Sequence, residues 1–155
     1  MSKRHANKIW LYLIQHPEIT SLDQLDQLYS KWSISHIAQA TIQKEFNMGS
    51  TKIASRFDSA RGDTVKLVIE LFDGHKIETV IMKHFKRTTV CLSSQVGCQM
   101  GCRFCATGTM GIIGDLHAHE IIEQLVHANR ISAVRNLVMM GMGEKIIILF
   151  YIFFI

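Results

Sequence analysis

The stretch Thr88-Thr-Val-Cys-Leu92, running on into Ser93-Ser-Gln-Val-Gly-Cys98-Gln-Met-Gly-Cys102-Arg-Phe-Cys105, is where the fold of this chain can be read. Residues 88–92 read as a short strand feeding a cysteine loop. A glycine-rich segment follows, with Gly97, Gly101, Gly108, Gly111 and Gly114. A helix is predicted from about His117 to Arg130, its buried stripe formed by Ile121, Leu125 and Val126 or Ala128. Asn136 to Met140 then reads as a fully buried strand ending in Gly141-Met142-Gly143-Glu144. Strand, loop, helix and strand in that order open a parallel α/β architecture.

Upstream of this unit the pattern alternates with period two. Val65, Leu67, Ile69 and Leu71 interleave with Lys66, Val68 and Glu70, and Asp73-Gly74 separates them from Ile77-Glu78-Thr79-Val80-Ile81. Asp-Gly between two alternating runs predicts a hairpin. Lys83 to Arg87 reads as a short basic connector, a solvated loop with phosphate contact as its functional counterpart. Further upstream the period becomes helical: Ile9, Trp10, Tyr12 and Leu13 form one stripe. Ser21-Leu-Asp-Gln is a capping-box pattern ahead of Leu22, Leu25 and Leu28, and Ile34, Ile37, Ile42 and Phe46 form a third, weaker stripe. The expected organisation is a helical accessory domain over 1–50, a hairpin and connector over 51–87, an α/β unit over 88–144 and an apolar tail over 145–155.

Of 155 residues, 48% are apolar and 19% charged, which excludes a disordered chain. The formal charge is +4, with a sequence pI near 9.0, a balance that suits a nucleic-acid partner without requiring one. Cys91, Cys98, Cys102 and Cys105 are all the cysteines there are, and they share one short window. A secreted disulfide framework spreads its cysteines, so a reducing compartment is expected. No signal-peptide pattern follows the basic start. The closing run of ten apolar residues is shorter than the ~20 needed to span a bilayer, so no membrane association is expected.

Cys98-Gln-Met-Gly-Cys102-Arg-Phe-Cys105 carries the chemistry. Three thiolates spaced C-x-x-x-C-x-x-C can reach three irons of one 4Fe-4S cubane from a single loop, leaving the fourth iron without a protein ligand. An open iron suits substrate activation, whereas an electron carrier is closed by four thiolates. Structural zinc is the competing reading: it favours paired C-x-x-C elements, a second pair is missing, and Cys91 would have to supply the fourth ligand.

The run from Cys91 through Cys98, Cys102 and Cys105 to Gly111 closely resembles the radical S-adenosylmethionine (SAM) adenine C2-methyltransferases that modify ribosomal and transfer RNA. The resemblance extends through His119-Glu-Ile-Ile-Glu-Gln to Gly141-Met142-Gly143-Glu144, and backwards through Asp73-Gly74 and Glu78-Thr79-Val80, covering roughly residues 5–144. It implies a helical accessory domain plus β-hairpin, followed by the first units of a partial (β/α) radical-SAM barrel. It further implies that Cys98, Cys102 and Cys105 ligate the cluster and that Gly141, Met142, Gly143 and Glu144 hold the amino group of SAM. A carboxylate and strand-end carbonyls suit an ammonium group. Cys91 would help to release the methylated base, and Glu78 would lie near the site. The radical formed from SAM would activate a methyl group carried on a second cysteine, which adds to carbon 2 of an adenine. Implied partners are RNA (ribosomal, transfer or both) and an electron donor such as a flavodoxin or ferredoxin. A monomer in the cytoplasm is expected, with an organellar location left open.

The chain departs from this pattern after Glu144. No cysteine follows Cys105 that could carry the methyl group, and from Thr88 onward the chain falls far short of the ~250 residues of an eight-unit barrel. A C-terminally truncated, inactive form is therefore expected, with residues 145–155 foreign to the fold. The alternative is a non-catalytic, zinc- or cluster-binding RNA-contact module.

Overall fold

The computed structural model describes residues 3–16, 18–85, 87–103 and 105–143. They fall into two compact units, 1–49 and 50 onward. The first is helical: α1 (Lys3–Gln15), a 3-10 turn (Leu22–Leu25), α2 (Asp26–Lys31) and α3 (His36–Glu45). Ser21 opens the second element as its pattern predicts. Its hydroxyl accepts from the Asp23 amide at 3.4 Å, and the Gln24 side chain accepts from the Ser21 amide at 3.1 Å. Ser35 caps α3 by accepting from the Ala38 amide at 3.3 Å. Ile9, Ile19, Leu25, Tyr29, Ile34 and Ile42 form this unit's core. The expected third stripe holds only in part, because Ile37 is 81% exposed and Phe46 is exposed beside the buried Ile42.

The second unit is built on a five-stranded sheet in the order β1–β2–β3–β4–β7. Its strands are β1 (Lys52–Asp58), β2 (Thr64–Glu70), β3 (Lys76–His84) and β4 (Arg87–Cys91); β5 (Gln95–Gly97) and β6 (Ile112–Asp115) form a separate ribbon, α4 is Ala118–Asn129 and β7 is Asn136–Val138. β1 to β4 pair antiparallel, and β7 joins β4 in parallel after the α4 crossover. The expected hairpin is β2–β3, whose loop is closed by the Gly74 amide donating to the Leu71 carbonyl at 3.0 Å. Gly74 has φ +87°, a conformation that costs glycine nothing.

Three sequence expectations need correction here. The hairpin is part of a meander, since β1 pairs along the whole of β2; its seven residues are all exposed, so no alternating burial marked it. The basic connector is not a loop: Lys83 and His84 end β3, and His84 pairs with Arg87 at the start of β4. β7 is not fully buried, since it stands at the sheet edge among the described residues and Leu137 is 51% exposed.

Alternation gives the sheet two different faces. Val65, Leu67, Ile69, Ile77, Ile81 and Val90 point into one core with Leu92, Val96, Leu116 and Ala128. Thr64, Lys66, Val68, Glu78, Val80, Met82, Thr89 and Cys91 occupy the other, half-open face. The α4 stripe also differs from expectation. Its buried residues are Glu120, Gln124 and Ala128, while Ile121, Leu125 and Val126 are only partly covered. Among the described residues no helix is long and apolar enough to cross a membrane. The tail expected to be foreign, 145–155, lies outside the described residues.

Candidate functional site

The cysteine loop is the connection between β5 and β6. The two strands pair antiparallel, and the Cys98 amide donates to the Gly111 carbonyl at 3.0 Å, so the loop from 98 to 111 is tied at its base. Within it the Cys105 amide donates to the Cys102 carbonyl and the Gly108 amide to the Cys105 carbonyl, both at 3.0 Å. Gly108 packs directly on the chain at Cys102: a Cβ there would stand 2.7 Å from the Cys102 carbonyl oxygen. Cys98, Cys102 and Cys105 are all half-buried free thiols. The Cys105 thiol is held below its ordinary pKa, because the amides of Gly108 and Thr107 favour the thiolate; burial and the Glu78 carboxylate work the other way. Among the described residues, no three His, Cys, Asp or Glu side chains are gathered closely enough to hold one metal ion. The structure thus places the three cysteines on one anchored loop without converging them.

Cys91 ends β4 on the half-open face, opposite Val80. Burial pushes its thiol pKa up, opposed by the Met140 amide. Glu78 lies on the same face, two residues from Val80, and its carboxylate accepts from Lys66 Nζ at 2.9 Å. The Glu78 carboxylate opposes the thiolate form of Cys105.

The Gly141–Gly143 segment runs beside residues 92–95. The Gly141 amide donates to the Leu92 carbonyl at 3.1 Å, and the Ser94 amide donates to the Met142 carbonyl at 2.8 Å. A Cβ on Gly141 would meet Ser93 Oγ at 2.6 Å and the Leu92 oxygen at 2.7 Å, so glycine is what allows this approach. Gly143, at φ +111°, packs against Ser94 and Gln95 in the same way. Glu144 lies outside the described residues.

Residues that the periodicity did not single out hold these parts together. Ser93 Oγ donates to the Glu78 carbonyl at 2.6 Å and accepts from the Met142 amide at 3.0 Å, linking β3 to the Gly141–Gly143 segment. Gln124 is fully buried: its Oε1 accepts from Ser93 N and Thr79 Oγ1, both at 2.8 Å, and its Nε2 donates to the Ser93 carbonyl at 2.9 Å. A buried glutamine on a helix is invisible to a search for apolar stripes. Gln95 is also buried; its Nε2 donates to Asp115 Oδ1 at 2.6 Å, and its Oε1 has no partner among the described residues.

No family model matches the chain. It is 38% identical over 147 residues to a dual-specificity RNA methyltransferase RlmN of Myxococcus xanthus, an alignment covering 92% of this chain and 39% of the relative. It is 44% identical over 126 residues to a probable dual-specificity RNA methyltransferase RlmN of Opitutus terrae, covering 81% of this chain and 28% of the relative. Among solved structures, the crystal structure of a radical SAM methyltransferase from Sphaerobacter thermophilus superimposes with a TM-score of 0.75 at 33% identity, covering 91% of this chain and 41% of that one. The chain belongs to the RlmN-type radical SAM methyltransferase family. The family resemblance is borne out, and so is the fold class, a helical unit followed by a sheet and the opening of a β/α unit. This family member spans about two fifths of the length of the Myxococcus relative and the Sphaerobacter structure.

Proposed function

We propose that this chain supplies the cluster- and SAM-binding part of an RNA methyltransferase acting at carbon 2 of adenine in ribosomal RNA, transfer RNA or both. The observation that carries this reading is the cysteine loop, anchored by β5 and β6 and flanked by a glycine segment knitted onto residues 92–95. Cys98, Cys102 and Cys105 would hold a 4Fe-4S cluster, which with SAM would supply one-electron chemistry.

The residues present fit both groups. Cys98, Cys102 and Cys105 form an all-thiol donor set, and the thiolate-favouring amides around Cys105 suit an iron ligand. The unpartnered Gln95 Oε1 is a buried acceptor whose side chain packs beside Gly143. Such an acceptor, with Glu144 and the carbonyls of Gly141 and Gly143, suits the ammonium group of SAM. Cys91, on the half-open face with its thiol pKa raised by burial, is the candidate for base release. Glu78, held by Lys66, is a candidate carboxylate on the same face as Cys91. The partners are RNA and a small electron donor of the flavodoxin or ferredoxin kind, and the protein works as a cytoplasmic monomer.

Anaerobic incubation of the reconstituted 155-residue chain with SAM, dithionite and an adenine-containing stem-loop RNA tests the reading. The expected product is 5′-deoxyadenosine, formed only when SAM and reductant are both present. Colourless protein holding zinc and forming no 5′-deoxyadenosine would support the RNA-contact module instead.

A further inference from the structure

The register of the sheet places an aromatic, a cation and the candidate reactive cysteine in one row across five strands. Phe57 of β1 pairs with Lys66 of β2, Lys66 with Val80 of β3, Val80 with Cys91 of β4, and Cys91 with Val138 of β7. Residues directly opposite each other in a sheet share a face, so all five lie on the half-open face away from α4. Phe57 is 55% exposed, and Lys66 Nζ stands 5.4 Å from the centroid of its ring while bonding Glu78 on the other side.

An exposed phenyl ring at a sheet edge, with an ammonium group above it, fits an unstacked nucleobase and its phosphate. Every base offers a π-face to stack on such a ring, and the cation supplies charge complementarity. Three strand spacings separate Phe57 from Cys91, about 14 Å. At the ~3.4 Å spacing of stacked nucleotides this is the reach of at most about four nucleotides, and fewer in a stretched strand.

We infer that Phe57, with Lys66 over its ring, is a stacking platform for a base of single-stranded RNA flanking the target adenine, within about four nucleotides of it. This rests on the RNA methyltransferase reading above and adds to it where the neighbouring strand lies. It also gives the wholly exposed β1 a role: it extends the open face sideways from Cys91 to receive the substrate.

The test uses the 155-residue chain and stem-loop RNAs with one loop adenine, in which 2-aminopurine replaces the base one, two, three or four positions away on either side. Stacking on Phe57 quenches the probe at one of these positions and not at the others. Phe57→Ala is expected to abolish that quenching and weaken binding about ten-fold, while Phe57→Trp keeps both. RNA binding and quenching unchanged in Phe57→Ala would overturn the platform and leave the RNA reading standing. No RNA binding by the unsubstituted chain would overturn the RNA reading and the platform with it. A large loss of folding stability in Phe57→Ala, relieved by Phe57→Trp without restored RNA binding, would show that the ring packs against other parts of the protein, and would likewise overturn the platform.

Discussion

Replacing Gln124 by leucine removes the group on which the site's framework converges. Gln124 is fully buried, and its three shortest hydrogen bonds join the Ser93 amide, the Ser93 carbonyl and the Thr79 hydroxyl. Leucine has similar volume, so the change leaves packing nearly intact and strands the three polar groups. Each unsatisfied buried group costs about 1–3 kcal/mol, and partial relaxation of the hydroxyl puts the total near 3–5 kcal/mol. That is a large share of the ~5–15 kcal/mol by which a domain is stable. With a urea m-value of about 1.5 kcal/mol/M, the unfolding midpoint should fall by roughly 2–3 M, followed by circular dichroism. Gln124→Glu makes a sharper comparison, because the carboxylate keeps the two acceptor contacts and faces the Ser93 carbonyl with no donor. It should also destabilise, and less so at low pH, where the protonated acid donates again. A midpoint shift below about 0.5 M for Gln124→Leu would refute the idea that this side chain holds β3, residues 92–95 and α4 together.

Further outcomes follow from other contacts. Gly141→Ala should cost about 1–3 kcal/mol by urea unfolding, since its methyl would stand 2.6 Å from Ser93 Oγ. Glu123 accepts from the amides and hydroxyls of both Ser50 and Thr51, so Glu123→Gln, with one acceptor oxygen left, should cost about 1–3 kcal/mol in thermal unfolding. His127, close to Thr51 and Arg130, has its pKa lowered by burial and by the Arg130 charge, against Glu123 and Thr51, which raise it. The unfolded state therefore takes up the proton first as pH falls below about 6.5, so stability declines from there toward the depressed folded pKa, and His127→Gln should flatten that decline. Iodoacetamide at pH 7.5 should label Cys105 well before Cys91, because neighbouring amides lower the one thiol's pKa and burial raises the other's.

Where side-chain period follows burial, the structure could be read from residue order. The β2–β3 hairpin alternates cleanly because one face is buried and the other is not, and Asp73-Gly74 marks its turn. The parallel β4–α4–β7 unit was legible from strand and helix patterns around the glycine loop. β1 was not, because it is exposed on both faces and no burial pattern constrains its residues. The α4 stripe was misplaced because Glu120 and Gln124 are buried for their hydrogen bonds and not for apolar surface. The three-cysteine loop was the clearest signal for a site, since the chemistry requires those residue types at that spacing. Ser93 and Gln95 read as ordinary loop polar residues, and their roles depend on a segment about fifty positions away that only the fold brings beside them.

Metal analysis of the chain after anaerobic reconstitution with iron and sulfide tests the central claim most directly. About four irons and four sulfides per chain are expected, lost on Cys98→Ala, Cys102→Ala or Cys105→Ala and retained in Cys91→Ala. Bound zinc in place of iron, or a metal whose retention also requires Cys91, would contradict it.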